Sequence, residues 1–275
     1  MTKISAIILA DNKEDIIEKC FKTINWVDEK ILVDLGSQDN TLTIAKKYGS
    51  RIIKGNSDYN FSLWRNQGAK VANGEWLLYI DADERVSSAL KEEIQSIIPA
   101  LPAGRHHPSS IINGYYIPRK NYFLGKEFRT AWPDYQLRLI RKDKLTGWQG
   151  NIHETPKING KVGTLVNPLI HLAHQNLEDC LANTLKWSKL EAENRFKLGH
   201  PKMSGLRFLH IIATGFWQQF VKQKVWREGV EGVIDGIYQV FSLFITYVRL
   251  WELQRKEPLK DTYKKIDQEI LKKWQ

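Results

Sequence analysis

The stretch EWLLYIDADERV (residues 75–86) joins a run of apolar residues to three acidic residues in four positions. The first six residues, EWLLYI (75–80), have the composition of a buried β-strand. Asp81, Asp83 and Glu84 follow directly, and their like charges repel one another at the end of that strand. Such a cluster is costly unless a cation binds there. We therefore interpret this strand end as a candidate ligand site.

The residues upstream of this stretch alternate between strand and helix patterns. Apolar runs predict three strands, at 4–10, 30–35 and 51–54. Apolar residues at helical spacing predict helices at 13–24 and 61–74. Strand–helix repeats of this length are typical of a parallel, three-layer α/β sheet. Because such sheets bind ligands beyond the carboxyl ends of their strands, the acidic cluster occupies a functional position.

The composition is that of an ordinary globular protein. The chain has 275 residues, of which 42% are hydrophobic and 26% charged, enough for one large domain or a domain with an appendage. Its two cysteines, Cys20 and Cys180, do not provide a secreted disulfide framework and favour a reducing compartment. The first residues lack the apolar core and the cleavage pattern of a signal peptide.

Positive charge is concentrated in the second part of the chain. Residues 1–100 carry a net charge of −2, whereas residues 101–275 carry +12. A basic region of this kind indicates an anionic partner, such as a phosphate group, a nucleic acid or a lipid surface. The alternative is charge that only keeps the protein soluble.

Residues from about 176 onward have a helical, aromatic-rich pattern. The longest apolar stretch, 233–248, is interrupted by polar residues and is shorter than the roughly 18–20 residues that cross a bilayer. Aromatic and cationic residues flank it, among them Trp226 and Lys224. This pattern favours a helix that lies at a membrane interface. The alternative is a helical hairpin buried against the α/β part.

Four motifs follow one another along the chain. They are ILADNKEDIIEKC (8–20), VDLGSQDNT (33–41), RNQGAKVANGEWLLYIDADERV (65–86) and WPDYQLRLIRK (132–142), the last followed by His153 and Glu154. This series resembles the family 2 glycosyltransferases of the GT-A fold. Over nearly its whole length the chain is most similar to their lipopolysaccharide-core β-glucosyltransferase branch. The resemblance implies a Rossmann-like GT-A catalytic domain at 1–175 and a helical acceptor or membrane-interface region at 176–275.

The resemblance implies that the donor is a UDP-sugar held by residues of the first three motifs. Asp34 would accept a hydrogen bond from the uracil ring, and Asp81 would face the ribose. The remaining predicted donor contacts are Ala10, Asn12, Glu14, Arg65 and Asn66. Asn12 and Glu14 have an alternative interpretation as caps of the following helix. Leu35 departs from the family pattern, which often has an acidic or small polar residue there.

Asp81 and Asp83 form a D-x-D motif at the strand end. Carboxylate oxygens suit Mg²⁺ or Mn²⁺, and such a cation would neutralise the diphosphate that leaves with the nucleotide. The resemblance assigns this cation to Asp83. His153 could complete the metal shell, with a buried structural histidine as the alternative. His171 and His174 are interpreted as structural.

Asp134 is the predicted general base. By resemblance it occupies the place of the carboxylate that removes the proton from the acceptor hydroxyl, opposite the leaving group. Its neighbours Trp132 and Tyr135 could stack on sugar faces of the acceptor. A turn residue without a catalytic role is the alternative for Asp134.

These motifs predict an inverting, metal-dependent glycosyltransferase. The predicted reaction moves a hexose, most simply glucose, from a UDP-sugar to a lipid-linked saccharide such as a lipopolysaccharide inner core. The enzyme would work in the cytoplasm, peripherally at the inner face of the cytoplasmic membrane, without a nucleic-acid partner. Two alternatives stay open: a transferase that uses polyprenyl phosphate as acceptor, and a non-catalytic nucleotide- or RNA-binding module. No P-loop, G-x-G-x-x-G or G-x-S-x-G motif points to another chemistry.

Overall fold

Strands and helices alternate along the first part of the chain, and helices alone follow. The computed structural model describes residues 3–55, 60–98, 112–150, 154–173 and 175–274. The strands are β1 (Ile4–Ala10), β2 (Glu29–Asp34), β3 (Arg51–Lys54), β4 (Trp76–Asp81), β5 (Glu84–Val86), β6 (Ile112–Phe123), β7 (Lys126–Glu127), β8 (Asp134–Arg141), β9 (Leu145–Gln149), β10 (Thr155–Ile158), β11 (Lys161–Thr164) and β12 (Leu169–Ala173). The helices are α1 (Glu14–Thr23), α2 (Thr41–Lys47), α3 (Phe61–Val71), α4 (Ser88–Ile97), α5 (Leu177–Lys197), α6 (Gly205–Phe216), α7 (Gly229–Leu253) and α8 (Leu259–Lys272).

A mixed sheet forms the centre of the first part of the chain. Its main strand order within the described residues is β3-β2-β1-β4-β8-β6-β12-β5. The strands from β3 to β4 are parallel, and β6 and β12 run in the same direction as β4. β8 and β5 run antiparallel to their neighbours. The predicted mostly parallel α/β sheet is confirmed, with one antiparallel strand inserted between β4 and β6.

Helices cover both faces of this sheet and give it three layers. On one face, α1 and α4 pack against the strands through buried residues that include Phe21 and Leu90. On the other face, α3 packs through Trp64, and Gly68 allows its close approach. A Cβ atom on Gly68 would lie 2.5 Å from Cγ2 of Ile7, so a larger residue does not fit there. All seven residues of β1 are buried between these layers, which explains why six of them are apolar.

The acidic cluster spans the end of one strand and the start of another. The strand predicted at 75–80 extends one residue further, so that Asp81 is the last residue of β4. Glu84 begins β5, which pairs with β12 rather than with β4. The chain therefore turns sharply between Asp81 and Glu84.

Contacts divide the chain into two compact units, Met1–Ala173 and His174–Gln275. This division falls within two residues of the boundary predicted between 175 and 176. The separate roles assigned to the two parts stay a prediction.

The second unit is a helical assembly in which α7 packs against α5 and α6. Ala192 of α5 and Leu250 of α7 are fully buried at its centre. Two glycines of α7 lie under the short 3₁₀ turn that precedes this helix. A Cβ atom added to Gly232 would lie 1.9 Å from the carbonyl oxygen of Val225. A Cβ atom added to Gly236 would lie 2.7 Å from Cγ2 of the same residue. These glycines let the turn pack directly on the helix backbone.

One helical segment of the described residues, Val225–Leu253, is long and apolar enough to cross a membrane, as judged by length and composition. Its mean hydropathy is 1.3, and 28% of the apolar window is buried within the protein. The stretch 233–248, predicted to be too short to span, lies within this longer helical segment, because α7 continues beyond both of its ends. Core helices of soluble proteins can pass the same test, so the segment alone is weak support for a membrane span.

Candidate active site

The predicted site residues meet at one edge of the sheet. The carboxyl ends of β1, β2, β4, β6 and β12 all point to this edge, and antiparallel β8 begins there. The residues at these strand ends are Ala10, Asp34, Asp81, Asn121, His171 and Asp134. Strand direction therefore brings together groups that are separated by as much as 161 positions in the sequence.

Glu84 is the fully buried member of the acidic cluster. Its Oε2 accepts a hydrogen bond from the backbone N–H of Asp81 at 2.9 Å. Its Oε1 lies 3.2 Å from Nη2 of Arg138 and 3.3 Å from Nη1 of Arg119. Two guanidinium groups from β8 and β6 therefore balance the buried carboxylate, a role that the strand-end pattern did not reveal.

Asp81 is held by arginines on both of its oxygens. Arg65 donates to Oδ1 at 3.0 Å, and Arg138 donates to Oδ2 at 2.5 Å. Burial alone would raise the pKa of Asp81, but these two arginines hold it far below its ordinary value. The carboxylate is therefore ionised at neutral pH. Its contact with ribose stays a prediction.

Arg65 and Asn66 of α3 connect the site to Glu154 and to Trp148 of β9. Arg65 is buried, donates from Nε to Oε1 of Glu154 at 2.9 Å, and stacks on the ring of Trp148 at 4.8 Å. Asn66 exchanges two hydrogen bonds with the backbone of Trp148, at 2.8 and 3.1 Å. These contacts fix α3 against β9 and set the position of Asp81. The predicted contacts of both residues with the donor diphosphate stay untested.

Asn12 and Glu14 bind the neighbouring loop. Oδ1 of Asn12 accepts from the N–H of Gln38 at 2.8 Å, and Oε2 of Glu14 accepts from the N–H of Asn40 at 2.9 Å. Neither side chain caps α1, whose N-cap residue is Lys13. The two residues therefore join the loop that follows β1 to the loop that follows β2.

Asp34 and Ala10 are the last residues of β2 and β1, which are neighbours in the sheet. Asp34 is buried, and its Oδ1 accepts from the N–H of Ser37 at 3.0 Å. The carbonyl of Ala10 accepts from the N–H of Leu35 at 2.9 Å. Both strand ends are therefore ordered by hydrogen bonds within the protein, and the uracil contact of Asp34 stays a prediction.

Asp83 faces a histidine that the sequence analysis interpreted as structural. Nε2 of His171 lies 3.7 Å from Oδ2 of Asp83, and Nδ1 of His171 lies 2.7 Å from Oδ1 of Asn121. Burial raises the pKa of Asp83, but His171 brings it below its usual value. The sequence signal for this histidine is its position within the short apolar run LIHLA (169–173), which forms strand β12.

Asp83 and His171 together could supply two ligands to a divalent cation, provided that other molecules supply the remaining ligands. An imidazole nitrogen and a carboxylate oxygen are acceptable ligands for Mn²⁺ or Mg²⁺. In the described part of the chain, no group of three His, Cys, Asp or Glu residues could hold a metal. A cation here would therefore need oxygen ligands from a bound diphosphate or water. His153, the other predicted ligand, lies outside the described residues.

Asp134 begins β8 and pairs with Arg119 of β6. Nη2 of Arg119 lies 2.7 Å from Oδ2, Asn121 donates to the same oxygen at 3.1 Å, and Gln136 donates to Oδ1 at 2.7 Å. Burial raises the pKa of Asp134, but Arg119 and these hydrogen bonds bring it below its ordinary value. The carboxylate is therefore ionised at neutral pH, as a general base requires.

Exposed aromatic side chains lie beside Asp134. Trp132 is 41% exposed and Tyr135 is 50% exposed. Tyr135 also lines a cavity of about 170 Å³ together with Tyr116, Arg138 and Glu154. Aromatic faces next to a carboxylate are suited to binding a sugar, and the acceptor roles of Trp132 and Tyr135 stay a prediction.

Sequence comparison now assigns the chain to a family. The sequence model of Glycosyl transferase family 2 matches residues 5–153, which is more than half of the chain. The chain is a family 2 glycosyltransferase. The predicted class of enzyme is confirmed, and the alternative of a non-catalytic binding module is removed.

Relatives of this glycosyltransferase cover most of its length. The lipopolysaccharide core biosynthesis glycosyltransferase LpsC of Rhizobium meliloti is 25% identical over 90% of this chain and 92% of its own. The cholesterol galactosyltransferase of Borreliella burgdorferi is 36% identical over 89% of this chain and 74% of its own. The solved structure of S. aureus TarS with UDP-GlcNAc is similar with a TM-score of 0.41, at 13% identity, over 90% of this chain and 88% of that one.

Replacing Glu84 with Gln is expected to lower the free energy of unfolding of the glycosyltransferase by about 3–5 kcal/mol, because two guanidinium groups lose a fully buried countercharge. The matched control is Asp143→Asn. Asp143 pairs with Arg141 at 3.1 Å but its side chain is 53% exposed, so its loss should cost less than about 1 kcal/mol. Urea unfolding followed by tryptophan fluorescence measures both variants, and equal losses would show that Glu84 does not balance the arginines.

Proposed function

We propose that the protein is an inverting, metal-dependent hexosyltransferase that uses a UDP-sugar, most simply UDP-glucose, and glycosylates a lipid-linked saccharide such as a lipopolysaccharide inner core. One observation carries this proposal. The pair Asp83–His171 and the ionised carboxylate of Asp134 lie at the same sheet edge, joined through Asn121. A ligand pair for a cation and a proton acceptor are the two functions that direct sugar transfer requires.

The donor end of the site is formed by the strand ends from β1 to β4. The predicted roles are a uracil contact for Asp34 and a ribose contact for Asp81. Asp83 and His171 would hold Mg²⁺ or Mn²⁺, which when bound neutralises the charge that develops on the departing diphosphate. Arg65 and Arg138 keep Asp81 in place while the donor binds.

The acceptor end of the site contains Asp134. In the proposed reaction, a hydroxyl oxygen of the acceptor forms a bond to the anomeric carbon while the bond to UDP breaks. Oδ1 or Oδ2 of Asp134 takes the hydroxyl proton. Attack from the face opposite the leaving group inverts the anomeric configuration. Trp132 and Tyr135 would bind the acceptor next to this carboxylate.

The names of two relatives support a lipid-associated acceptor. LpsC is named for lipopolysaccharide core biosynthesis, and the Borreliella relative is named as a cholesterol galactosyltransferase. The second name favours another candidate function, transfer of galactose to a sterol hydroxyl. A polyprenyl phosphate acceptor remains a further alternative. All three acceptors would be met at a membrane surface.

The second unit carries a surface that suits such a location. Large apolar side chains are exposed on α6, on α7 and on the segment between them: Leu206, Leu209, Phe216, Trp217, Trp226, Val230, Ile234 and Ile237. We refer to them as the apolar surface. Lys222, Lys224 and Arg227 are exposed within the same segment, and Arg227 lies 5.4 Å from the ring of Trp226. Aromatic and cationic residues together favour peripheral binding at the cytoplasmic face of the membrane.

The metal is tested by Asp83→Ala and His171→Ala. Each variant should reduce the Mn²⁺ dependence of UDP binding and lower turnover of UDP-sugar at least about 10²-fold, because each removes a ligand of the cation. Calorimetry of UDP binding with Mn²⁺ or EDTA, and release of free UDP or GDP from a panel of nucleotide sugars, supply the measurements. Asp143→Ala is the control. Full turnover of the wild type in excess EDTA would contradict a metal-dependent enzyme.

The base is tested by Asp134→Asn. This variant should bind the UDP-sugar with unchanged affinity and lose transfer by about 10²- to 10⁴-fold, because only proton removal from the acceptor is affected. Because the pKa of Asp134 is lowered, the wild type should show no loss of kcat from this group between neutral pH and about pH 5. Stopped assays of transfer across pH check both statements. Near wild-type transfer by the variant would mean that another group is the base.

Membrane binding is tested by replacing Lys222, Lys224 and Arg227 together with Gln. The wild type should co-sediment with anionic vesicles, and salt should weaken the binding, since each cation near such a surface contributes on the order of 1 kcal/mol. The triple variant should bind at least about 10-fold more weakly with unchanged UDP affinity. The control carries the same charge change at exposed Lys19, Lys46 and Lys47 of the first unit. No sedimentation of the wild type at low salt would leave the buried hairpin as the better interpretation.

A further inference from the structure

Asn121 occupies a buried position between the two reactive parts of the site. It lies on β6, where it is the direct cross-strand partner of His171 on β12. Its Oδ1 lies 2.7 Å from Nδ1 of His171. Its Nδ2 donates to Oδ2 of Asp134 at 3.1 Å. One amide therefore contacts both the histidine that faces Asp83 and the carboxylate proposed as the base.

The chemistry of these neighbours determines which way the amide points. An ionised carboxylate can only accept hydrogen bonds, so the NH₂ group of Asn121 must face Asp134. The amide oxygen then faces Nδ1 of His171, and because this oxygen can only accept, Nδ1 must carry a hydrogen. In the neutral imidazole the other nitrogen, Nε2, then has a free electron pair. Nε2 is the atom that lies 3.7 Å from Asp83.

We infer that Asn121 is a positioning residue that serves both halves of the reaction. Its oxygen sets the histidine tautomer whose Nε2 can bind a cation beside Asp83. Its NH₂ group holds Asp134 in the orientation set by the pairing with Arg119. The inference deepens the proposed function and rests on it for the cation and the base. Partners of this kind behind a metal-binding histidine typically change metal affinity 10- to 100-fold when removed.

Two substitutions separate the two contacts of Asn121. Asn121→Asp keeps an oxygen that accepts from His171 but places a carboxylate against Asp134. Asn121→Leu has a similar size and removes both contacts. Asn113 provides the control, because it is also buried on β6 and donates to the backbone oxygen of Asn159 at 2.8 Å, at the other end of the strand. Asn113→Leu therefore removes a buried amide without touching the site.

The first measurement is the affinity of the full-length protein for Mn²⁺ in the presence of UDP, followed by the paramagnetic signal of free Mn²⁺. Asn121→Leu should weaken Mn²⁺ binding about 10- to 100-fold, whereas Asn121→Asp and Asn113→Leu should stay within about 3-fold of the wild type. Transfer at saturating Mn²⁺ and donor should fall by about 10²-fold in both Asn121 variants. A Mn²⁺ affinity for Asn121→Leu equal to that of Asn113→Leu would overturn the inference.

The second measurement requires no metal. The ¹⁵N shifts of the His171 ring, assigned with His171→Gln, report which nitrogen carries the hydrogen at about pH 8.5, where imidazole is neutral. The wild type and Asn121→Asp should have the hydrogen on Nδ1, and Asn121→Leu should lose this preference. An unchanged tautomer in Asn121→Leu would overturn the inference. If Asp83→Ala binds Mn²⁺ normally while the tautomer shift is found, the metal part of the proposed function fails and the positioning of His171 by Asn121 stands.

Discussion

The fully buried carboxylate of Glu84 requires positive partners, and this requirement organises the centre of the molecule. Its two guanidinium partners come from β6 and β8, while its other oxygen binds the backbone at the end of β4. The single carboxylate of Glu84 therefore connects its own strand, β5, to β4, β6 and β8, in addition to the hydrogen-bond ladders of the sheet. Arg138 and Arg119 extend from Glu84 to Asp81 and Asp134, respectively. The proposed donor and acceptor sides of the site are thus held in one continuous ionic network.

Local pattern was sufficient to predict the parallel half of the sheet, because each of its strands is a short apolar run between helical segments. It also indicated that the acidic strand end needs positive charge. It did not indicate that arginines supply part of that charge, since Arg138 lies 57 positions from Asp81 and no spacing rule connects them. The role of His171 was missed for a related reason. Strand β12 has five residues and joins the sheet only by pairing with β6 and β5, a long-range event that leaves no periodic signal.

Several motif residues also make hydrogen bonds that stabilise the fold, which the motifs alone do not suggest. Asn66 uses both ends of its amide on the backbone of Trp148, and Glu14 binds Asn40 across a loop. Buried polar side chains require hydrogen-bond partners. A polar side chain near a ligand pocket therefore often makes hydrogen bonds within the protein before any ligand binds. Such residues shape the pocket by ordering its walls. Their influence on binding would act through geometry, whether or not they also touch the donor.

The antiparallel direction of β8 has a consequence for how this enzyme can diversify. Asp134 is fixed by its ladder pairing with Arg119, and the segment that leads to it, residues 124–133, includes the exposed Trp132. Changes at exposed positions of this segment, such as Trp132, do not alter that pairing. In the proposed reaction, a lineage could exchange one acceptor for another by remodelling these exposed positions, while the residues proposed to act on the donor are inherited unchanged.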